Sequence, residues 1–205
     1  MRPSGRILFF CYNQKKGDNM KGKLFIISGS SGVGKGTVIK ELLKRADNLF
    51  LSVSSTTRKP REGEVHGKNY YFLSKEEFEE AVKNNEFLEW AEFSTNKYGT
   101  SKKTVEEQLN KGQNVLLEIE VQGAMQVKKK IPEAVLIFIL PPDRDELEKR
   151  LRGRGTESEE AILKRLNTIE FEMKESEKYD YKVVNDTVER AVGEILTIYE
   201  SCKNV

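Results

Sequence analysis

Residue types that define whole classes of protein are scarce in this sequence. It contains two cysteines, Cys11 and Cys202, and one histidine, His66. Two cysteines so far apart do not make a disulfide framework, and they fit the reducing cytosol. A single histidine excludes a metal centre built from several histidines. We therefore expect a cytoplasmic protein that is stabilised by an ordinary hydrophobic core.

Long apolar runs and an excess of one charge are also missing. No stretch approaches the roughly 18 apolar residues that a membrane-spanning helix needs. Lys and Arg number 35, Asp and Glu number 33, and the net charge is +2. Because a nucleic-acid-binding protein carries a clear basic excess, neither a nucleic acid nor a membrane is an expected partner. The length of 205 residues fits one domain with insertions, as a monomer or a homodimer.

The first nineteen residues differ from the rest of the chain. A short apolar run at 7–12 follows two arginines and precedes a polar run at 13–19. This apolar run is shorter than the ~7–15 residues of a signal-peptide core, and no cleavage site of small residues follows it. We expect residues 1–19 to be a loosely attached extension, with the folded domain at 20–205.

A glycine-rich stretch at 29–37 organises the chain. It follows an apolar run, matches the pattern Gly-x-x-x-x-Gly-Lys, and precedes apolar residues at helical spacing. Such glycines let backbone N–H groups turn inward around an anion, and the following helix directs its positive end at the same place. Strand, loop and helix thus predict a loop that binds the phosphates of a nucleotide cofactor. Its residues are Gly29, Ser30, Ser31, Gly32, Val33, Gly34, Lys35, Gly36 and Thr37.

The remainder alternates between predicted strands and helices, which indicates an α/β fold with a parallel sheet flanked by helices. Buried strands are predicted at 115–121 and 134–140, and ligands of such sheets bind beyond the carboxyl ends of the strands. Residues 54–100 break this rhythm. They are expected to form an inserted α+β region, which includes a helix start capped by Ser74 and Glu77.

Two polar groups in and near this insertion are candidates for binding. The first group could hold a phosphate, since the planar guanidinium of arginine matches phosphate oxygens, and it consists of Arg58, Arg61, Tyr70 and Tyr98. A solvated charged loop would show the same residue types.

Glu89, Thr100 and Glu118 could accept hydrogen bonds from the N–H groups of a flat ring. Glu92 and Glu120 are rival carboxylates on the same predicted strands. An outward strand face would explain Glu89 equally well. Glu118 lies in an apolar run, where a buried charge needs a partner, and this favours a function for it.

A third group comprises Arg150, Arg154 and Arg165. Arg154 lies between two glycines, as is typical of a mobile flap. Phosphoryl transfer needs positive charge around the transferred group, so these arginines are candidate catalytic residues together with Lys35. Ion pairs with the glutamates at 157–160 are the alternative.

The sequence resembles the guanylate kinases over residues 20–205. The matching motifs lie, in the order of that family, at 29–37, 52–64, 70–72, 87–90, 98–100, 121–123, 141–142, 150–157 and 184–186. The resemblance implies a P-loop nucleotide kinase that catalyses ATP + GMP ⇌ ADP + GDP, with dGMP as a further acceptor and with Mg²⁺. It also implies three parts: a core at 20–53 and 101–205, a GMP-binding insertion at 54–100 and a small lid at about 150–165.

The resemblance assigns roles to these residues. The GMP phosphate is held by Ser54, Arg58, Arg61, Tyr70 and Tyr98, and guanine is read by Glu89, Thr100 and Glu118. The transferring phosphoryl group is surrounded by Lys35, Arg150, Arg154 and Arg165, and Asn185 lies by the adenine. Gly36 stands where many members carry serine, so the candidate metal ligands are Thr37 and, through water, Glu120.

Three alternatives belong to other functional classes. A catalytically silent guanylate-kinase-like interaction module usually lacks the loop lysine or the GMP-site residues, and here they are all present. The loop would also suit an adenylate kinase or another small phosphotransferase, such as a nucleoside monophosphate kinase of other base specificity. The pair Glu89 and Glu118 and the turn at 98–100 argue against it. A regulatory GTPase needs an Asn-Lys-x-Asp motif, which this chain lacks.

Overall fold

The computed structural model of the protein describes residues 21–30, 32–93, 95–143, 152 and 174–203. The predictions for the extension at 1–19, for Ser31, for Arg150, Arg154 and Arg165, and for a lid at about 150–165 therefore lie outside the described residues, apart from position 152.

A five-stranded parallel sheet forms the centre of the fold, which confirms the predicted α/β class. In spatial order its strands are β2 (Leu49–Leu51), β7 (Asn114–Glu118), β1 (Leu24–Gly29), β8 (Val135–Leu140) and β9 (Tyr181–Val184). The central strand β1 is buried along its whole length because helices cover both faces of the sheet. The carboxyl ends of β1 and β7 thus meet at one edge, where ligands of such sheets bind.

Five α-helices lie wholly within the described ranges, and they are α1 (Lys35–Arg45), α2 (Lys75–Lys83), α3 (Lys102–Asn110), α4 (Val121–Lys130) and α5 (Val188–Cys202). One hydrophobic cluster joins α1 and α5 to one face of the sheet, and a second joins α3 and α4 to the other. Within these ranges, no helix combines the length and the apolar character that crossing a membrane requires.

A second sheet contains four short strands. In spatial order they are β4 (Tyr71–Phe72), β3 (Ser55–Thr56), β6 (Asn96–Ser101) and β5 (Phe87–Phe93). Helix α2 packs on it through the buried Phe78, whose ring lies 4.6 Å from that of Phe87. All of these elements come from 55–101, and the boundaries of a separate GMP-binding region stay a prediction.

The chain segment after β7 differs from the sequence analysis. The predicted strand at 115–121 ends at Glu118, and α4 begins at Val121 with Glu120 as its N-cap residue. Val121 is buried in the second hydrophobic cluster from its position on the helix. Since an apolar side chain can be buried from a helix as well as from a strand, the apolar run alone placed this boundary wrongly.

Candidate active site

The glycine-rich loop joins β1 to α1 at the carboxyl edge of the parallel sheet. Gly34, the N-cap residue of α1, has a φ of 95°, and Gly32 has a φ of 88°. Both values lie in the left-handed region that favours glycine, which is why the loop can turn its backbone N–H groups toward one point. The N-terminus of α1 adds its positive dipole there.

Lys35, the first residue of α1, places its ammonium group at this loop. Its Nζ donates a hydrogen bond to the carbonyl of Gly29, where β1 ends. A Cβ atom built on Gly36 meets no heavy atom within 4 Å, so the position after the lysine is open space. Thr37 follows it in the first turn of the helix.

Asn185 supports this loop from the end of β9. Its side-chain amide donates to the Val33 carbonyl at 2.7 Å, and the residue is 4% exposed. A Cβ atom at Gly34 would lie 2.8 Å from the same amide nitrogen. That Asn185 also lies by the adenine of ATP stays a prediction from the resemblance. The hydrogen bond from Asn185 to the loop was not predicted. No local sequence signal indicates it, because the two partners lie 152 residues apart.

A cleft of about 580 Å³ opens in front of the loop. Residues from the loop, from α1, from the segment after β7 and from β5 of the second sheet surround it. They are Ser30, Gly32, Gly34, Lys35, Gly36, Thr37, Lys40, Phe93, Glu118 and Glu120. The cleft is therefore bounded by the cationic loop and the start of α1, by the two carboxylates that follow β7, and by Phe93 of the second sheet.

The apolar neighbours of Glu118 in the sequence indicate a buried side chain. In the structure, Glu118 is exposed and lines this cleft. Enclosure by the cleft walls raises the pKa of its carboxyl, the Lys35 charge opposes this increase, and Glu120 adds to it. Strand β7 ends at this residue, so its side chain leaves the apolar core for the sheet edge.

The carboxylates and the Thr37 hydroxyl supply hard oxygen donors for a cation. Among the described residues, no three His, Cys, Asp or Glu side chains are grouped closely enough to hold a metal. Mg²⁺ commonly binds through one or two protein oxygens and takes its other ligands from water and substrate phosphates. The residues at the cleft therefore fit a magnesium ion that is bound jointly with a nucleotide.

The predicted arginine and tyrosine group is assembled in the second sheet. The guanidinium of Arg58 lies 5.4 Å from the ring centre of Tyr70, and the rings of Tyr70 and Tyr98 are 6.1 Å apart. Arg58 also donates to Glu64 at 2.8 Å, which raises the pKa of Arg58 and lowers that of Glu64. Sequence reasoning missed Glu64, because a loop pair six residues apart has no periodic signal.

The remaining residues of this group surround the same loop. The Arg61 backbone N–H donates to Glu64 at 2.7 Å, while the Arg61 side chain is exposed. The Ser54 carbonyl accepts from the Tyr71 N–H at 2.9 Å. Burial raises the pKa of Tyr70, and the charge of Glu118 adds to that increase.

Glu89 and Thr100 form a buried pair between β5 and β6. They are cross-strand neighbours, and the Thr100 hydroxyl donates to Glu89 Oε1 at 2.6 Å. Glu89 is 3% exposed, and this burial raises its pKa, which the Thr100 hydrogen bond partly offsets. The rival Glu92 is exposed. The Lys130 charge and the Thr100 backbone also oppose this increase in the pKa of Glu89. A buried carboxylate is equipped to accept further hydrogen bonds from a ligand.

Comparison with known proteins identifies relatives of one kind. The family model described as guanylate kinase matches residues 21–202. A guanylate kinase from Prochlorococcus marinus (strain MIT 9312) is 52% identical over 179 residues, which are 87% of this chain and 97% of that protein. A guanylate kinase from Clostridium tetani is 54% identical over 185 residues, with 89% and 88% coverage.

A solved structure agrees with these relatives. The crystal structure of guanylate kinase from Anaplasma phagocytophilum has a TM-score of 0.77 and 35% identity, and it covers 91% of this chain and 88% of that chain. The resemblance seen in the sequence is thus confirmed by matches over nearly the full described length. Since sequence, fold and cleft agree, the chain belongs to the guanylate kinase family.

Proposed function

We propose that the chain transfers the γ-phosphoryl group of ATP to GMP or dGMP, giving ADP and GDP, in purine nucleotide metabolism and GMP recycling. The observation that carries this proposal is the cleft itself, which the glycine-rich loop, Glu118, Glu120 and Phe93 of the second sheet line together. Family membership supports the same activity. The chain is thus an ATP:GMP phosphotransferase.

The loop and α1 form the ATP side of the proposed site. The backbone N–H groups of 29–37 and the Lys35 ammonium would bind the β- and γ-phosphates. Magnesium, held at Thr37 and through water at Glu120, would neutralise charge on the same phosphates. Arg150, Arg154 and Arg165, which lie outside the described residues, are proposed to surround the transferring group.

The second sheet forms the GMP side. Arg58, Tyr70 and Tyr98, together with Ser54 and Arg61, would hold the GMP phosphate, since Arg58 already lies against both the tyrosines and Glu64. Glu89, supported by Thr100, and Glu118 would accept the N–H groups of guanine. Adenine would leave these carboxylates unpaired, which is the physical basis for discrimination of ~10⁴ or more.

The chemistry then requires little covalent participation by the protein. The acceptor oxygen of the GMP phosphate is already anionic, so no strong general base is needed. An in-line transfer depends on placing the two phosphates in contact and on neutralising their charge. Closure of the cleft around both nucleotides would exclude water and limit hydrolysis of ATP.

The proposal is tested by a coupled assay of ADP production with GMP, dGMP, AMP, CMP and UMP as acceptors. We expect turnover with GMP and dGMP and little with the other three. Equal or better turnover with AMP would exclude guanine specificity, and no turnover with any acceptor would favour a silent interaction module.

Replacement of Arg58 by alanine is expected to raise the KM for GMP by about 10- to 100-fold, because charge-assisted hydrogen bonds to the phosphate are lost. The KM for ATP should change little. Arg45→Ala is the matched control, since Arg45 pairs with Glu41 and Glu189 on the protein surface. If Arg58→Ala weakened ATP use and spared GMP use, the division between the two sides of the site would be wrong.

Replacement of Asn185 by alanine is expected to raise the KM for the nucleotide donor about tenfold, because the Val33 carbonyl loses its buried partner. Steady-state kinetics with ATP and with GTP as donors separate two causes. An equal increase for both donors supports the loop contact, whereas an increase confined to ATP indicates contact with adenine. Asn84→Ala, which removes an exposed hydrogen bond to Glu86, is the control.

A further inference from the structure

Strand β5, which carries Glu89, is an edge strand of the second sheet. An edge strand leaves backbone N–H and C=O groups without a neighbouring strand. In this protein, one side chain of α4 bonds to such backbone groups of β5. The Gln126 amide nitrogen donates to the Trp90 carbonyl at 2.8 Å, and the Trp90 N–H points to Gln126 Oε1 at 3.4 Å. The glutamine thus pairs with the strand as a neighbouring peptide group would.

Two further residues on the same face of α4 contact the adjacent positions of β5. Lys130, four residues after Gln126, donates through Nζ to the Leu88 carbonyl. Gly123, three residues before Gln126, leaves the space that the Glu89 carboxylate occupies. A Cβ atom at Gly123 would lie 2.3 Å from Glu89 Oε2 and 2.9 Å from Glu89 Cδ.

The same helix is anchored in the main sheet. Val121, Ala124 and Val127 are buried in the hydrophobic cluster that covers this face of the parallel strands. The helix starts directly after Glu118 and Glu120, which line the cleft. One rigid element therefore connects the cleft to the strand that carries Glu89.

We propose that Gln126 is a positioning residue which, with Gly123, holds the Glu89 carboxylate at a defined place relative to the phosphoryl-transfer cleft. The inference rests on the proposed function, since it takes GMP as the ligand of Glu89. Gln126 acts on Glu89 indirectly, by holding the backbone of β5 at Trp90. Gly123 acts by having no side chain, which leaves room for the Glu89 carboxylate. Neither is required to touch a nucleotide.

Gln126→Leu tests this inference, because leucine keeps an apolar body of similar size and removes both polar contacts with Trp90. The KM for GMP is expected to rise about tenfold, and the KM for ATP to change less than about twofold. Because the KM for GMP rises, the preference for GMP over AMP should decrease. Simple destabilisation would lower the active fraction, and hence kcat, without such a difference between the two KM values.

Gln108→Leu provides the matched control on α3, because in the described part of the chain the Gln108 side chain makes no hydrogen bond. If the unsubstituted chain is fully active and the KM for GMP is equal in Gln126→Leu and Gln108→Leu, the inference about Gln126 is wrong. The proposed function would not be affected by that result. No turnover of GMP by the unsubstituted chain would overturn the proposed function as well.

Gly123→Ala gives an independent measurement. Alanine favours a helix over glycine, so a substitution without contact to Glu89 would stabilise the protein and leave its kinetics unchanged. We expect instead a rise of about tenfold in the KM for GMP, with the KM for ATP retained, because the added methyl group displaces the carboxylate. An unchanged KM for GMP together with a higher melting temperature would contradict the proposal.

Discussion

Replacement of Lys35 by alanine is expected to reduce GMP-dependent turnover by about a thousandfold or more while the fold remains intact. The ammonium group lies at the start of α1, beside the glycines that are proposed to surround the phosphates, and it lines the cleft. Among the described residues of the loop at 29–37, it is the one charged side chain. Its loss removes stabilisation of the transition state, so kcat should fall further than the KM values change.

The stability of this variant should change little, since Lys35 is only partly buried and loses one hydrogen bond to the Gly29 carbonyl. Lys44→Ala, at the exposed end of the same helix, is the control for the loss of a lysine. Coupled assays and thermal unfolding should be measured for both variants. Turnover by Lys35→Ala within tenfold of the unsubstituted chain would show that the loop does not bind the transferred group.

Replacement of Glu89 by glutamine is expected to reduce kcat/KM for GMP by about 10²- to 10³-fold and to leave the KM for ATP nearly unchanged. The glutamine can still accept the Thr100 hydroxyl, so the local packing is kept. However, its amide presents N–H donors to the N–H groups of guanine, and the charge that strengthens those hydrogen bonds is lost. The control is Glu92→Gln, an exposed carboxylate on the same strand. Equal losses in both variants would contradict the assignment.

The same substitution should stabilise the fold at neutral pH. Burial raises the pKa of Glu89 in the folded state, so the folded protein binds this proton more tightly than the unfolded chain does. As the pH rises from the ordinary glutamate value through the raised one, the unfolded chain loses the proton first and the folded state loses stability. We therefore expect Glu89→Gln to melt at a higher temperature at pH 7, with the difference closing in acid. The opposite sign would mean that Thr100 and Lys130 stabilise the carboxylate by more than its burial costs.

Local chemistry explains why part of the fold was predictable. The Ser74 and Glu77 pair forms the expected capping box, with hydrogen bonds of 3.1 Å and 2.6 Å, because its partners are three residues apart. The glycine-rich loop belongs to the same class, since its glycines and its lysine lie within nine residues.

The candidate site was predictable in its residue types and less so in its geometry. Spacing left Glu89 and Glu92 equivalent, and the burial of one and the exposure of the other follow from how the second sheet packs on α4. Spacing also suggested a buried Glu118, whereas the end of β7 places it in the cleft. In both cases the environment of the carboxylate depends on elements that are distant in sequence.

The sequence by itself determined the parallel α/β sheet and the family, and it predicted the loop that would bind nucleotide phosphates. Only the tertiary structure decided that Asn185 supports the loop, that Glu64 pairs with Arg58, and that Gln126 holds the strand bearing Glu89. Backbone conformation and helix capping are governed by neighbours a few residues away, so a linear pattern records them. Hydrogen bonds between elements, and the burial that shifts a pKa, arise when distant segments pack together, and no local pattern contains them.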